Sequence, residues 1–144
     1  MLKGILAISG KPGLFKLITN AKNSIIVESL IDGKRMPAYT SSKISSLEDI
    51  SIFTLDGDVK LADVFASIFE KNLKVEPKKA SSNELKNAFK EALPDYDEER
   101  VYLSDIKKVF SWYNILKEKE IITPETIEEL KKTDEAADEK SGED

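Results

Sequence analysis

Residues 24–39 read SIIVESLIDGKRMPAY, and this stretch decides the fold. Two short runs, SIIVESLI and KRMPAY, flank Asp32-Gly33, the pair that favours a two-residue hairpin turn because both central positions need positive φ. Reading back toward the N-terminus, LKGILAI (residues 2–8) and LFKLIT (residues 14–19) flank a second breaker cluster, SGKPG (residues 9–13). Four consecutive strands are therefore predicted. Downstream, SSLEDI pairs Ser45 with Glu48 three residues on, the spacing of a capping box, and predicts one helical turn. A fifth strand, SIFTL (residues 51–55), then closes at Asp56-Gly57. Five short strands with a helical turn before the last suit a small β-barrel.

Several of these strands are apolar on both faces. In residues 14–18 only Lys16 is polar, and in residues 24–31 Ile25 and Val27 point one way while Ile26 and Leu30 point the other. A barrel standing alone would expose one of these sets, so the helices that follow are expected to cover it. From residue 58 the apolar period changes to about 3.6. Leu61, Val64, Phe65, Ile68 and Phe69 share a stripe on a helix over residues 59–72, with Asp58 as its cap. Ser81 and Glu84 open a second helix that carries Leu85, Ala88, Phe89, Ala92 and Leu93 inward until Pro94 stops it. The acidic PDYDEER reads as loop. Ser104 then caps a third helix with Ile106, Val109, Phe110, Tyr113 and Leu116 inward, and Thr123-Pro124 opens a short fourth.

The sequence thus predicts an α+β protein in three parts: an SH3-like five-stranded β-barrel over residues 1–57, a region of three to four helices over 58–132, and an acidic tail over 133–144. The tail holds six acids, one lysine and no large apolar group, and is expected to be disordered.

Composition narrows the chemistry. The 144 residues include no cysteine and no histidine, which removes disulfides, thiolate nucleophiles, histidine bases and histidine-ligated zinc. No secretion signal, lipid anchor or run of eighteen apolar residues is visible, so a cytoplasmic protein without a membrane partner is expected.

Three fragments mimic catalytic or binding motifs and fail on their own terms. ISGKPG lacks the first glycine of a phosphate-binding loop, has Pro12 where Ser or Thr belongs, and precedes no helix; it reads as a tight turn. Ser104 and Lys107 have the spacing of a serine acyl-enzyme without either companion motif. Asp95, Asp97 and Glu99 alternate as in a calcium loop, but Arg100 stands at the glycine position and Ile106 at the bidentate glutamate. No catalytic constellation and no cofactor site remain, and the expectation is a protein that binds rather than catalyses.

The stretches LKGILAISGKPGLFKLI, IVESLIDGKRMPAY and VYLSDIKKVFSWYNIL resemble a bacterial family of about this length known only as a domain of unknown function. The resemblance covers roughly residues 1–120. It implies an SH3-like barrel followed by a helical region, and it offers no activity to carry over.

Charge and aromatic residues mark the candidate binding surface. Residues 1–47 hold seven basic and two acidic side chains, whereas the other 97 hold fifteen basic and twenty-five acidic. In the basic half Lys11, Phe15 and Lys16, then Lys34, Arg35 and Tyr39, alternate cations with aromatics as small barrels do along a polyanion. On the third helix Trp112 lies off the centre of the apolar stripe and Ile115 nearly opposite it, so that helix is apolar beyond one face. Lys11, Lys16, Lys34, Arg35, Tyr39 and Trp112 are the candidate partner-binding residues. The expected partner is another protein, held in a groove between Tyr39, Trp112 and the SGKPG loop; the alternative is nucleic acid on the basic barrel face.

Overall fold

The computed structural model describes residues 2–11, 13–39 and 43–132. The chain is α+β, with the strands first and the helices after them. A five-stranded antiparallel sheet runs in the order β4-β3-β2-β1-β5, from β1 (Ile5–Ile8), β2 (Phe15–Ala21), β3 (Ser24–Ser29), β4 (Arg35–Tyr39) and β5 (Ile44–Ser46). A 3-10 turn, Leu47–Asp49, leads into a separate hairpin of β6 (Ser51–Thr54) and β7 (Gly57–Lys60). Three helices follow, α1 (Leu61–Glu70), α2 (Ser82–Ala92) and α3 (Leu103–Glu118), and a fourth, α4, occupies residues 124–132.

The fifth predicted strand belongs to that second hairpin and not to the main sheet; the three-residue β5 takes its place beside β1. The hairpin's two-residue turn is Leu55-Asp56 and Gly57 already pairs with Thr54, so a boundary between residues 57 and 58 cuts through paired backbone. Residues 58–60 are strand, and α1 begins two residues later than predicted with Lys60, not Asp58, at its N-cap. The turn at Asp32-Gly33 is also longer than two residues. Ser29 N–H donates to the Lys34 carbonyl at 2.9 Å while the Asp32 carboxylate accepts from Lys34 N–H at 2.9 Å, which holds a four-residue loop. The two-residue turn is Lys22-Asn23 instead, with Asn23 at φ +64° and Ala21 paired with Ser24.

The sheet is curled. Met36, Ala38 and Ile44 share one apolar cluster with Leu6, Ile8, Phe15 and Val27, so the two edges lean over a common interior. Among the described residues the five strands form an antiparallel sheet with no backbone pairing between β4 and β5.

The opposite face carries the main core. Leu2, Ile5, Leu14 and Leu47 from the sheet end are buried in one cluster with Leu61, Phe65 and Ile68 of α1, Leu85 and Phe89 of α2, and Phe110 and Tyr113 of α3. This is the cover that the doubly apolar strands demanded. Two helix starts form as the spacing predicts: Ser81 Oγ accepts from Glu84 N–H at 3.2 Å, and Thr123 Oγ1 accepts from Thr126 N–H at 3.2 Å. Two do not. Ser45 is a strand residue, and the turn after it has no side-chain cap. Ser104 lies inside the first turn of α3, whose N-cap is Tyr102; the Asp105 carboxylate accepts from Tyr102 N–H at 3.0 Å. The tail, residues 133–144, lies outside the described residues.

Candidate functional site: a lysine-lined cleft beside Trp112

The inward stripe of α3 is set by burial of Ile106, Val109, Phe110, Tyr113 and Leu116. Helical spacing then puts Lys107, Lys108, Ser111, Trp112 and Ile115 beside that stripe, with Trp112 and Ile115 partly buried against the edge of the same core. Those five residues form one wall of a cleft of about 590 Å³. The opposite wall comes from β1, β5 and the turn after β1, including Ser9, Gly10, Lys11, Lys43 and Ser45.

Backbone hydrogen bonds hold the turn to the β5 side. Ser9 N–H donates to the Lys43 carbonyl at 2.9 Å, and Lys11 N–H donates to the Ile8 carbonyl at 3.1 Å. Gly10 at φ +83° and Gly13 at φ +81° supply the left-handed backbone that the tight return requires. Two segments far apart in sequence therefore meet: the SGKPG turn and the middle of α3.

The cleft is electropositive by construction. Lys11, Lys43, Lys107 and Lys108 line it and no Asp or Glu does. Among the described residues none of Lys43, Lys107 and Lys108 is ion-paired, and Lys11 Nζ has only the Met36 sulfur, at 3.3 Å. Four cations on one concave surface, without internal counter-ions, raise the local concentration of anions and favour an acidic ligand.

The six sequence-predicted residues are divided by the fold. Lys11 and Trp112 share the cleft. Lys16 and Arg35 stand on the exposed outer face of the sheet on either side of Glu28, which pairs with Lys16 across β2 and with Arg35 across β4. Arg35 Nε lies 3.4 Å from Glu28 Oε1, so this cationic row already contains its counter-ion. Lys34 sits in the β3–β4 turn, and Tyr39, 57 % exposed, lines none of the principal clefts. Sequence reading missed Lys43, Lys107 and Lys108 as partners of Lys11. The available signal was the pairing of Lys107-Lys108 with Trp112 one helical turn later.

The acidic loop has a structural role. Asp97 Oδ1 accepts from Glu99 N–H at 3.0 Å, Asp97 N–H donates to the Phe53 carbonyl at 2.9 Å, and Tyr96 bridges Thr54. The segment thus covers the outer edge of β6. Among the described residues no group of acidic side chains is arranged to hold a metal ion.

Comparison with known proteins follows the same division of the chain. Residues 2–47 match the model of a domain of unknown function (DUF5606), and residues 50–116 match that of a second domain of unknown function (DUF6852). A solution NMR structure of a protein from Bacteroides vulgatus, from the Northeast Structural Genomics Consortium, is 46% identical, covers 85% of this chain and 90% of its own, and superposes with a TM-score of 0.71. The chain belongs to this uncharacterised bacterial family. No curated protein matches it. The family's two segments meet at the 3-10 turn, where Leu47 is completely buried in the main core, so in this member the two share one interior. The lysine cleft draws one wall from each segment.

Proposed function

We propose that the protein is a non-enzymatic interaction module that takes an acidic segment of a partner protein into the cleft between the SGKPG turn and α3. One observation carries the reading: Lys11, Lys43, Lys107 and Lys108 converge beside Trp112 with no carboxylate among the lining residues. Cleft serines and lysines are both present, but among the described residues no hydrogen bond joins a hydroxyl to an amine there, so no nucleophile is paired with a base. No helix among the described residues is long and apolar enough to cross a membrane. With no cysteine in the sequence, the working compartment is taken to be the reducing cytoplasm.

Lysines around an aromatic ring also suit single-stranded nucleic acid, the second reading. The acidic balance of the whole chain, at −5, and the Glu28 counter-ion on the sheet's outer face favour the protein partner. Trp112 is the sole tryptophan, so the protein's tryptophan emission comes from the wall of this cleft. Titration with poly-glutamate at low salt is expected to shift that emission, with the shift abolished at high salt and by Lys107→Glu with Lys108→Glu. A stronger, saturable response to oligo-deoxythymidine would replace the protein-partner reading by the nucleic-acid one.

A further inference from the structure

The lysine cleft does not end at Trp112. Ile50, Lys108 and Trp112 also line a second depression, of about 210 Å³, so the two adjoin at the indole. Beyond Trp112 the character changes. Ile52, Phe53, Val101 and Val109 wall the smaller space. Its two rim charges besides Lys108 are already engaged: the Arg100 guanidinium lies 3.9 Å from the centre of the Phe53 ring, and the Asp105 carboxylate holds Tyr102 N–H.

A space of this size holds roughly seven waters at ~30 Å³ each, and an apolar wall gives them few hydrogen bonds. One large apolar side chain would displace them favourably. Phe53 is 37 % exposed, so part of the wall is now open to solvent.

Resting on the reading above, we infer that the two adjoining depressions together recognise a bipartite peptide: a run of acidic residues over Lys11, Lys43 and Lys107, next to one large apolar residue seated beside Trp112 against Phe53 and Val109. Charge complementarity fixes the acidic half, and the change of lining at Trp112 fixes the apolar half. Lys108, shared by both depressions, stands where the two halves meet. Neither a bare polyanion nor an uncharged apolar peptide uses the whole groove.

The test uses the full chain and three synthetic peptides of equal length, followed by Trp112 emission and by anisotropy of a labelled peptide. The first contains only glutamate and glycine, the second is the same with one phenylalanine beside the acidic run, and the third keeps the phenylalanine but has glutamine for glutamate. The second is expected to bind about tenfold or more tighter than the first, and more tightly still relative to the third. Phe53→Ala should abolish the preference for phenylalanine, while Tyr39→Ser, at an exposed position that lines neither depression, should leave it intact. Equal affinity of the first two peptides overturns the bipartite site and leaves the acidic-partner reading standing. Binding of the third as tightly as the second overturns both, as does failure of all three. Preference for an oligonucleotide of matched charge also overturns both. The comparison on the unaltered chain decides the matter even if Phe53→Ala fails to fold.

Discussion

Glu28 faces Arg35 directly across the β3–β4 ladder, with its Oε1 3.4 Å from the guanidinium Nε, and on its other side the ladder pairs it with Lys16. A row that reads in sequence as two cations on one face is, in the folded protein, a cation, an anion and a cation. The lysines of the α3 cleft have no such neighbour within their lining. This contrast separates a decorated surface from a binding one.

Charge reversal should follow that contrast. Lys16→Glu with Arg35→Glu should change affinity for an acidic peptide by less than about threefold at 150 mM salt, because those charges are exposed and locally screened. Lys107→Glu with Lys108→Glu should lower it by tenfold or more and flatten its salt dependence. Anisotropy titrations at two salt concentrations check both. Equal losses from the two pairs would mean only net charge matters.

The strands are expected to need the helices. Leu14 and Leu47 are completely buried and belong to the cluster that includes Phe65, Phe89 and Phe110. A fragment of residues 1–57 loses that cover and should aggregate or give a collapsed NMR spectrum. In the full chain Leu14→Ala should cost about 2–5 kcal/mol, read from denaturant unfolding. A dispersed spectrum from the fragment would show that the curled sheet is self-sufficient.

Part of this architecture was legible in the sequence for identifiable reasons. Doubly apolar strands announced a second covering layer, and Ser81, Pro94 and Thr123-Pro124 bracketed helices because caps and proline act locally. Strand β7 was not legible. Its four residues, GDVK, have one apolar side chain, and pairing with β6 makes them a strand where Asp58 alone suggests a helix cap. The cleft was half legible. Trp112 and Ile115 lay off the inward stripe and so marked an unusual helix face, and the SGKPG turn was named with them. That Lys43 would join Lys11 depends on the pairing of β1 with β5, and that Lys107 would join both depends on a tertiary contact between segments more than sixty residues apart, and no local pattern encodes either.

Tyr113 offers a test of core energetics. Its ring is buried against Phe65, with centroids 6.1 Å apart, and its hydroxyl has no hydrogen-bond partner among the described residues. Burial without a partner costs free energy, so Tyr113→Phe should raise stability by about 1 kcal/mol, on the order of 3 °C in Tm. Burial also raises the Tyr113 pKa above the ordinary 10.0, and Tyr96 is raised by burial and then by Glu98. A pKa raised by folding means the folded state prefers the protonated hydroxyl. That contribution is fully present below pH ~10 and is lost as pH rises through the folded value. The wild type should therefore lose stability above pH ~10, and Tyr113→Phe should lose less. Thermal melts from pH 7 to 11 check the difference, and parallel curves for the two proteins would contradict it.

Gly13 links the turn to the site. At φ +81° an L side chain is strained, and a Cβ there would also run into the end of the Ile31 side chain. Gly13→Ala should destabilise by about 1–2 kcal/mol and loosen the Lys11 wall of the cleft. Unfolding curves measure the first effect. Hydrogen exchange at Ser9 N–H, which donates to Lys43, measures the second. Unchanged exchange would show that the turn does not depend on Gly13.

The most direct measurement is a two-dimensional 15N NMR titration of the full chain with an acidic peptide carrying one phenylalanine. Shifts are expected at Ser9, Gly10, Lys43, Lys107, Ser111 and the Trp112 indole N–H, with neighbouring changes at Phe53, while Lys16, Lys34 and Arg35 stay still. Shifts centred on the Lys16, Glu28 and Arg35 row, or none at the Trp112 indole, would contradict the assignment of the α3 cleft as the binding site.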